Sequence, residues 1–219
     1  MPHAQGGHPP GGRMVRRTDE CAAAGGGSER MNFLVVGAGA IGGVIGGYLS
    51  RAEHRVLFVD KDPDHVRALR EQGLSIRTAS ETFNIPVDAL SSDAFAAEAT
   101  PLDDVDAVLL AVKAQHTEDA VAPFSHRLPE TACVVLLQNG LCEDVIARYV
   151  EPERTVGAFV NLFADCFEPG VVEYGGMGSL FIGELDGPRG EDGSPVASGA
   201  GDSGRSPARH EMRLNGCSI

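Results

Sequence analysis

The apolar residues of this chain are grouped into short runs that alternate with polar segments of helical periodicity. Four nearly continuous apolar runs have the length of buried strands, at 33–36, 55–60, 105–112 and 131–137. Segments with a helical pattern follow these runs, at 40–50, 63–72, 117–124 and 143–150. Because strands alternate with helices and the strands lack a polar face, the pattern predicts an α/β fold. The expected architecture is a Rossmann-type, doubly wound, mostly parallel sheet covered on both faces.

Between the second and third runs the pattern is weaker. Residues 74–78 and 83–87 favour a short hairpin. Residues 88–102 are polar and rich in alanine, which leaves a loop and a short helix as open alternatives.

Beyond the fourth run we expect three more strands, at 155–162, 170–174 and 179–182. The pairs Pro169–Gly170 and Gly175–Gly176 are typical of turns between them. These strands are expected to complete the far edge of the sheet.

The two ends of the chain differ in composition from the middle. Residues 1–30 are rich in Gly, Pro, His and Ala, and residues 188–219 are rich in Gly, Ser, Pro and Asp. Such segments bury too little apolar surface to offset the entropy of ordering, so we expect both to be disordered. The folded unit is therefore expected to span 31–187.

The first strand runs into a glycine-rich turn, G-A-G-A-I-G, formed by Gly37, Ala38, Gly39, Ala40, Ile41 and Gly42. Strand, G-x-G-x-x-G and helix in this order form the context of a dinucleotide-binding fingerprint. The first glycine permits the sharp turn, the second lets backbone approach a pyrophosphate, and the third lets the helix pack closely. The helix N-terminus adds unpaired N–H groups and a partial positive charge. A flexible glycine-rich loop that binds no nucleotide is the alternative interpretation.

Polar residues follow three further strands. Asp60 and Lys61 come after the second run, Lys113 after the third, and Asn139 after the fourth. Open parallel sheets bind ligands beyond the carboxyl ends of their strands, so these side chains are candidates for cofactor binding. A carboxylate about 20 residues after the fingerprint hydrogen-bonds a ribose 2′-hydroxyl, which makes Asp60 compatible with NAD. A solvated lysine and an Asn-Gly turn are the ordinary alternatives for Lys113 and Asn139.

Composition narrows the function. A net charge of −13 disfavours nucleic acid and anionic membranes as partners. No apolar run approaches the ~18 residues of a membrane helix, and no secretory signal is visible, so we expect a cytoplasmic protein. The five cysteines are scattered and form no C-x-x-C pair, so neither a disulfide framework nor a metal site is predicted. A homo-oligomer stays open without being indicated.

Four segments in order resemble the ketopantoate reductase (2-dehydropantoate 2-reductase) family. They are G-A-G-A-I-G-G at 37–43, V-K-A at 112–114, Q-N-G at 138–140, and E-P-G-V-V-E-Y-G-G with F-I-G-E between 168 and 184. The resemblance implies an NADP-dependent oxidoreductase that reduces 2-dehydropantoate, or a related 2-oxo acid, on the way to pantothenate and coenzyme A. It implies that Lys113 contacts cofactor and that Asn139 touches both cofactor and substrate.

The chain departs from the family in two ways. Asp60 favours NAD whereas the family usually prefers NADPH; Lys61 is placed to supply the basic residue, and family expectation tips the prediction to NADP. The family's helical C-terminal catalytic domain, which supplies the lysine that protonates the ketone oxygen, is not found after 187, and no catalytic residue can be assigned. The alternatives are a non-catalytic NAD(P)-binding module and an inactive truncated fragment.

Overall fold

The computed structural model describes residues 30–97, 100–140, 142–184 and 210–212. The first part alternates strands with helices: β1 (Asn32–Val36), α1 (Ala40–Arg51), β2 (Arg55–Asp60), α2 (Pro63–Gln72), β3 (Leu74–Arg77), β4 (Thr82–Ile85), β5 (Asp88–Ser91) and α3 (Ser92–Ala97). The second part contains β6 (Ala107–Leu110), α4 (Thr117–Val121), β7 (Cys133–Leu136), α5 (Glu143–Ile146), β8 (Thr155–Glu168), β9 (Val171–Glu184) and β10 (His210–Met212).

The strands form one mixed sheet in the order β4-β3-β9-β8-β7-β6-β1-β2-β5, and β10 pairs with β9. The central strands from β8 to β5 are parallel. Strands β9 and β4 run antiparallel to β8 and β3, respectively. The predicted α/β, mostly parallel, Rossmann-type sheet is confirmed.

Side chains of the central strands alternate between two apolar clusters, one on each face of the sheet. Val35 of β1 packs with α1 and α2 in one cluster, whereas Leu34 and Val36 join the other, which contains residues of α3, α4 and α5. Both faces are therefore buried, which explains why the strands contain so few polar residues. This arrangement makes the fold doubly wound.

Helix α1 packs unusually close to the sheet. A Cβ atom at Gly46 would lie 2.6 Å from the ring of Phe58, and one at Gly43 would lie 2.7 Å from Val172. Real Cβ atoms essentially never approach so closely. Close packing against the sheet thus explains why this helix contains glycines, which are poor helix formers.

Two sequence expectations were wrong in detail. Of the two alternatives for residues 88–102, the short helix is present as α3. It is preceded by a strand, β5, that was not expected and that pairs parallel to β2 at the edge of the sheet. The three strands expected between 155 and 182 are two long strands, β8 and β9, and the expected turn at Gly175–Gly176 lies inside β9. They also lie inside the sheet, because the β3–β4 hairpin forms its far edge.

The predicted N-terminal segment, 1–30, lies outside the described residues apart from Arg30. Within the predicted tail, 188–219, only β10 is described. No helix in the described ranges is long and apolar enough to cross a membrane.

Candidate functional site: a glycine loop at the carboxyl edge of the sheet

The register of the parallel strands brings the predicted site residues to one edge. Val36 at the end of β1 lies opposite Val59 of β2 and Leu110 of β6. Leu110 in turn lies opposite Leu136 of β7. The loops that carry the glycine fingerprint, Asp60–Lys61, Lys113 and Asn139 therefore leave the sheet side by side.

The glycine loop is fixed to the sheet at its start. Gly37 has a φ of +97°, a region that other residues rarely adopt, and its N–H donates to the carbonyl of Val59 at 2.8 Å. A Cβ atom at Gly42 would overlap the carbonyl oxygen of Gly37. These two glycines are therefore required by the fold itself.

Gly39 differs from both of these glycines. Its φ is −64° and a Cβ atom there would meet nothing within 4 Å. Packing within the protein therefore does not require glycine at this position, and the space beside it is open. This is the property expected where a ligand approaches the backbone.

Helix α1 begins at this loop without a side-chain cap or an acidic residue in its first turn. The amide nitrogens of Gly39 and Ala40 have no acceptor among the residues that the structure describes. Unpaired N–H groups at the start of a helix attract anions, and no carboxylate of the helix competes for them. The arrangement suits a pyrophosphate.

Asp60 supports the loop. Its Oδ2 accepts the N–H of Ala38 at 2.7 Å, and its Oδ1 accepts the N–H of Asp62 at 3.0 Å. Each carboxylate oxygen has a further lone pair, so a contact with a ribose hydroxyl stays a prediction.

Lys61 and His116 meet above the ends of β2 and β6. The Nζ atom of Lys61 lies 3.1 Å from Nε2 of His116. Because an ammonium group only donates, Nε2 of His116 is the acceptor in this contact. Lys113 is exposed on the same loop as His116, at the start of a short 3₁₀ helix.

Gln138 is a buried residue of the site to which the sequence alone assigned no role. Its Nε2 donates to the carbonyl of Val112 and to Oγ1 of Thr117, both at 2.8 Å. Its Oε1 is buried and has no partner within the described residues. The neighbouring Asn139 is exposed, in a turn completed by Gly140, which has a φ of +152°. Gln138 thus ties the Lys113 loop to the Asn139 turn.

His65 was also missed by sequence reasoning. It lies in the first turn of α2, only 5% exposed, and its Nε2 lies 3.0 Å from the carbonyl oxygen of Ala38. Cys166 lies beside it, with Sγ 3.9 Å from Nδ1 of His65. Burial, and then the charges of Asp60 and Asp62, raise the pKa of the Cys166 thiol. Asp62 itself caps α2 by accepting the N–H groups of Asp64 and His65.

A wide cleft of about 1850 Å³ lies at the opposite, amino-terminal edge of the sheet. Its walls include Asn32, Arg55, Asp88 and Asp104. It contains none of the loops at the carboxyl ends, so its size does not identify it as the site. The described residues contain no group of three or more His, Cys, Asp or Glu that could hold a metal ion.

The family model described as ketopantoate reductase PanE/ApbA matches residues 33–187. The chain belongs to this family. The matched segment includes every strand-end loop described above.

Two curated relatives agree with this assignment. The chain is 32% identical over 154 residues to the 2-dehydropantoate 2-reductase of Pyrococcus abyssi, which covers 70% of this chain and 47% of the relative. It is 29% identical over 169 residues to that of Halobacterium salinarum, covering 77% and 53%, respectively. The chain therefore spans about half the length of the curated relatives it matches.

Solved structures share the fold. A PanE/ApbA family ketopantoate reductase from Ralstonia eutropha JMP134 is 34% identical with a TM-score of 0.62, covering 69% of this chain and 49% of that one. A D-mandelate dehydrogenase solved with NADH and anilino(oxo)acetate is 26% identical with a TM-score of 0.65, covering 71% and 49%.

Proposed function

We propose that this domain binds a nicotinamide dinucleotide, with the loop from Gly37 to Gly42 on the pyrophosphate. The observation that carries the proposal is the open space beside Gly39. Packing within the protein would allow a side chain there, so a bound ligand is the reason to keep glycine at this position. Free amides at the start of α1 lie at the same place. The related D-mandelate dehydrogenase was solved with NADH, which supports the same class of ligand.

Within the loop, we assign the ligand contacts to the backbone of Gly39, Ala40 and Ile41. Ala38 holds the loop in place, because its own N–H donates to Asp60. Lys113 and Asn139 extend the site along the same edge, Lys113 toward phosphate or ribose oxygens and Asn139 toward cofactor and substrate. An amide side chain suits the latter role because it donates and accepts at once.

NADP is the preferred form in this proposal. Both carboxylate oxygens of Asp60 already accept protein N–H groups, which weakens the argument for a dedicated 2′-hydroxyl ligand. Lys61 contacts an imidazole rather than a carboxylate, which leaves its positive charge available for a 2′-phosphate. NAD stays the alternative because the charge of Asp60 would oppose that phosphate.

We propose that this domain, together with a C-terminal half like that of its relatives, reduces 2-dehydropantoate or a related 2-oxo acid to the 2-hydroxy acid in pantothenate synthesis. A bound reduced nicotinamide supplies the hydride. The residues of this chain would bind and orient the dinucleotide, and Asn139 would contact the substrate. Reduction also needs a group that protonates the carbonyl oxygen, and no described residue is assigned to that step.

A non-catalytic NAD(P)-binding module is the second candidate, and the lack of an assignable acid in the described site favours it. The two candidates are separated by following NADPH oxidation with 2-dehydropantoate, first with this chain alone and then after adding the separately expressed C-terminal half of a relative. Dinucleotide binding with activity restored by that half supports the reductase. Binding without activity in either case supports the module, and activity of this chain alone would show that the missing acid is present here.

A further inference from the structure

His65 is placed between two segments that are far apart in the sequence. Its Nε2 lies 3.0 Å from the carbonyl oxygen of Ala38 in the glycine loop. Its Nδ1 lies 3.0 Å from the backbone nitrogen of Gly170, in the turn that joins β8 to β9. The imidazole is buried, so both contacts are shielded from water.

These contacts specify the tautomer of the ring. A backbone N–H can only donate, so Nδ1 of His65 accepts from Gly170 and carries no proton. The proton therefore lies on Nε2, which donates to Ala38. Exchanging the tautomer would place two donors against each other on one side and two acceptors on the other.

The imidazole of His65 and the carboxylate of Asp60 together fix the backbone of Ala38. Asp60 accepts the N–H of Ala38 at 2.7 Å, and His65 donates to its carbonyl oxygen. The C=O and N–H groups of a planar trans peptide point in opposite directions. Holding the Ala38 carbonyl against His65 therefore turns the N–H of Gly39 away from His65 and fixes its direction.

The other contact of the ring is itself anchored. Gly170 has a φ of +75°, and its carbonyl oxygen accepts the N–H of Ser75 at 2.9 Å. A Cβ atom at Gly170 would lie 3.0 Å from the Cβ of Ala68 on α2. The β8–β9 turn is thus held against α2 and β3 and gives His65 a fixed support.

We propose that His65 is a positioning residue for the dinucleotide, which aims the Gly39 amide at the pyrophosphate and makes that aim depend on the β8–β9 turn. The inference rests on the proposed dinucleotide binding. It predicts that distortion of the turn at Gly170 weakens binding at a loop that is far from it in sequence.

The test compares His65→Leu, which removes both hydrogen bonds, with His65→Gln, whose amide can donate to Ala38 and accept from Gly170. The matched control is His54→Leu, because Nδ1 of His54 also accepts a backbone N–H, that of Met31 at 3.2 Å, but at the opposite edge of the sheet. Each variant is titrated with NADPH after its cooperative unfolding has been checked. In the wild type, ¹⁵N NMR of the ring is expected to show a proton on Nε2 only.

We expect His65→Leu to weaken NADPH binding about tenfold, equivalent to ~1.4 kcal/mol. His65→Gln should recover most of that loss, and His54→Leu should bind like the wild type. A general loss of stability would not be repaired selectively by an amide. If the folded wild type binds no dinucleotide, the proposed function fails and this inference with it. If the wild type binds and folded His65→Leu binds equally well, or if Nδ1 carries the proton, this inference alone is overturned.

Discussion

Substituting alanine for Gly39 tests whether glycine at this position is needed for a ligand or for the fold. At this position a methyl group meets nothing within 4 Å, and the φ of −64° is accessible to alanine. The apo protein should therefore accept the change. The ligand should not, because the methyl group occupies the space through which the pyrophosphate reaches the amides.

The expected change in stability is small because two effects oppose each other. Gly39 is the N-cap of α1, where alanine is less favourable than glycine, at a cost of about 0.5–1 kcal/mol. Alanine also restricts the unfolded chain, which stabilises the native state by about 0.4–1 kcal/mol. The melting temperature should therefore shift by less than about 4 °C. NADPH affinity should fall at least about tenfold, or ~1.4 kcal/mol.

Two other glycines provide controls. Gly183→Ala also introduces a methyl group into open space, but on β9, so binding should be unchanged and stability should rise slightly. Gly42→Ala forces a methyl group onto the Gly37 carbonyl and should destabilise the fold by about 1–3 kcal/mol or more. Thermal unfolding followed by circular dichroism and NADPH titration measure the two effects separately. Unchanged NADPH affinity in Gly39→Ala would refute the reasoning, and so would a large loss of stability.

Three further predictions concern neighbouring side chains. Lys61→Ala should weaken NADPH binding roughly tenfold more than NADH binding, since a charged hydrogen bond contributes about 1.5–3 kcal/mol; equal losses for both would contradict the NADP preference. Gln138→Leu should lower the free energy of unfolding in urea by about 1–2 kcal/mol, because the carbonyl of Val112 and the buried hydroxyl of Thr117 lose their donor. An unchanged urea midpoint would argue against that role.

The third is that Cys166 should react slowly with iodoacetamide near neutral pH, because its raised pKa keeps the reactive thiolate scarce until the solution is more alkaline. Asp62→Asn keeps the helix cap but removes a negative charge, so it should speed labelling of the Cys166 peptide in mass spectrometry. A slower reaction would contradict this.

The parts of the fold that the sequence predicted well are those whose signal is local. The buried strands β1, β2, β6 and β7 are continuous apolar runs, and α2 begins at Pro63 and ends before Gly73. Strand β5 was missed because Asp-Ala-Leu-Ser at the sheet edge has few apolar residues to reveal it. The three expected strands are in fact two long ones, β8 and β9. The sequence did not predict this, because β8 is bulged after Leu162 and the glycine-rich run inside β9 has the composition of a turn.

The candidate site also contains some residues that the sequence predicts and others that it does not. The glycine loop and the strand-end residues follow from motif and topology, which fix where a parallel sheet binds its ligand. The roles of His65 and Gln138 depend on partners that are far away in sequence, 105 residues in the case of the contact between His65 and Gly170. A buried histidine in an amphipathic helix is a weak signal, since its partner cannot be read from one sequence.

Strand β8 exposes several large apolar side chains. Phe159, Phe163 and Phe167 are exposed by 62%, 69% and 75%, respectively, and Phe181 on the neighbouring β9 is exposed by 36%. Exposed patches of this kind are typical of surfaces that contact another chain or domain. They are also a liability for aggregation, which makes monodispersity a necessary check in every binding experiment.

The most direct test of the account is the titration of the folded wild-type chain with NADPH and, in parallel, with NADH. The chain contains no tryptophan, so the fluorescence of the bound nicotinamide is followed against a low protein background. We expect saturable fluorescence enhancement with both nucleotides and tighter binding of NADPH than of NADH. A monodisperse, cooperatively unfolding chain that binds neither would contradict the central claim that the loop from Gly37 to Gly42 is a working dinucleotide site.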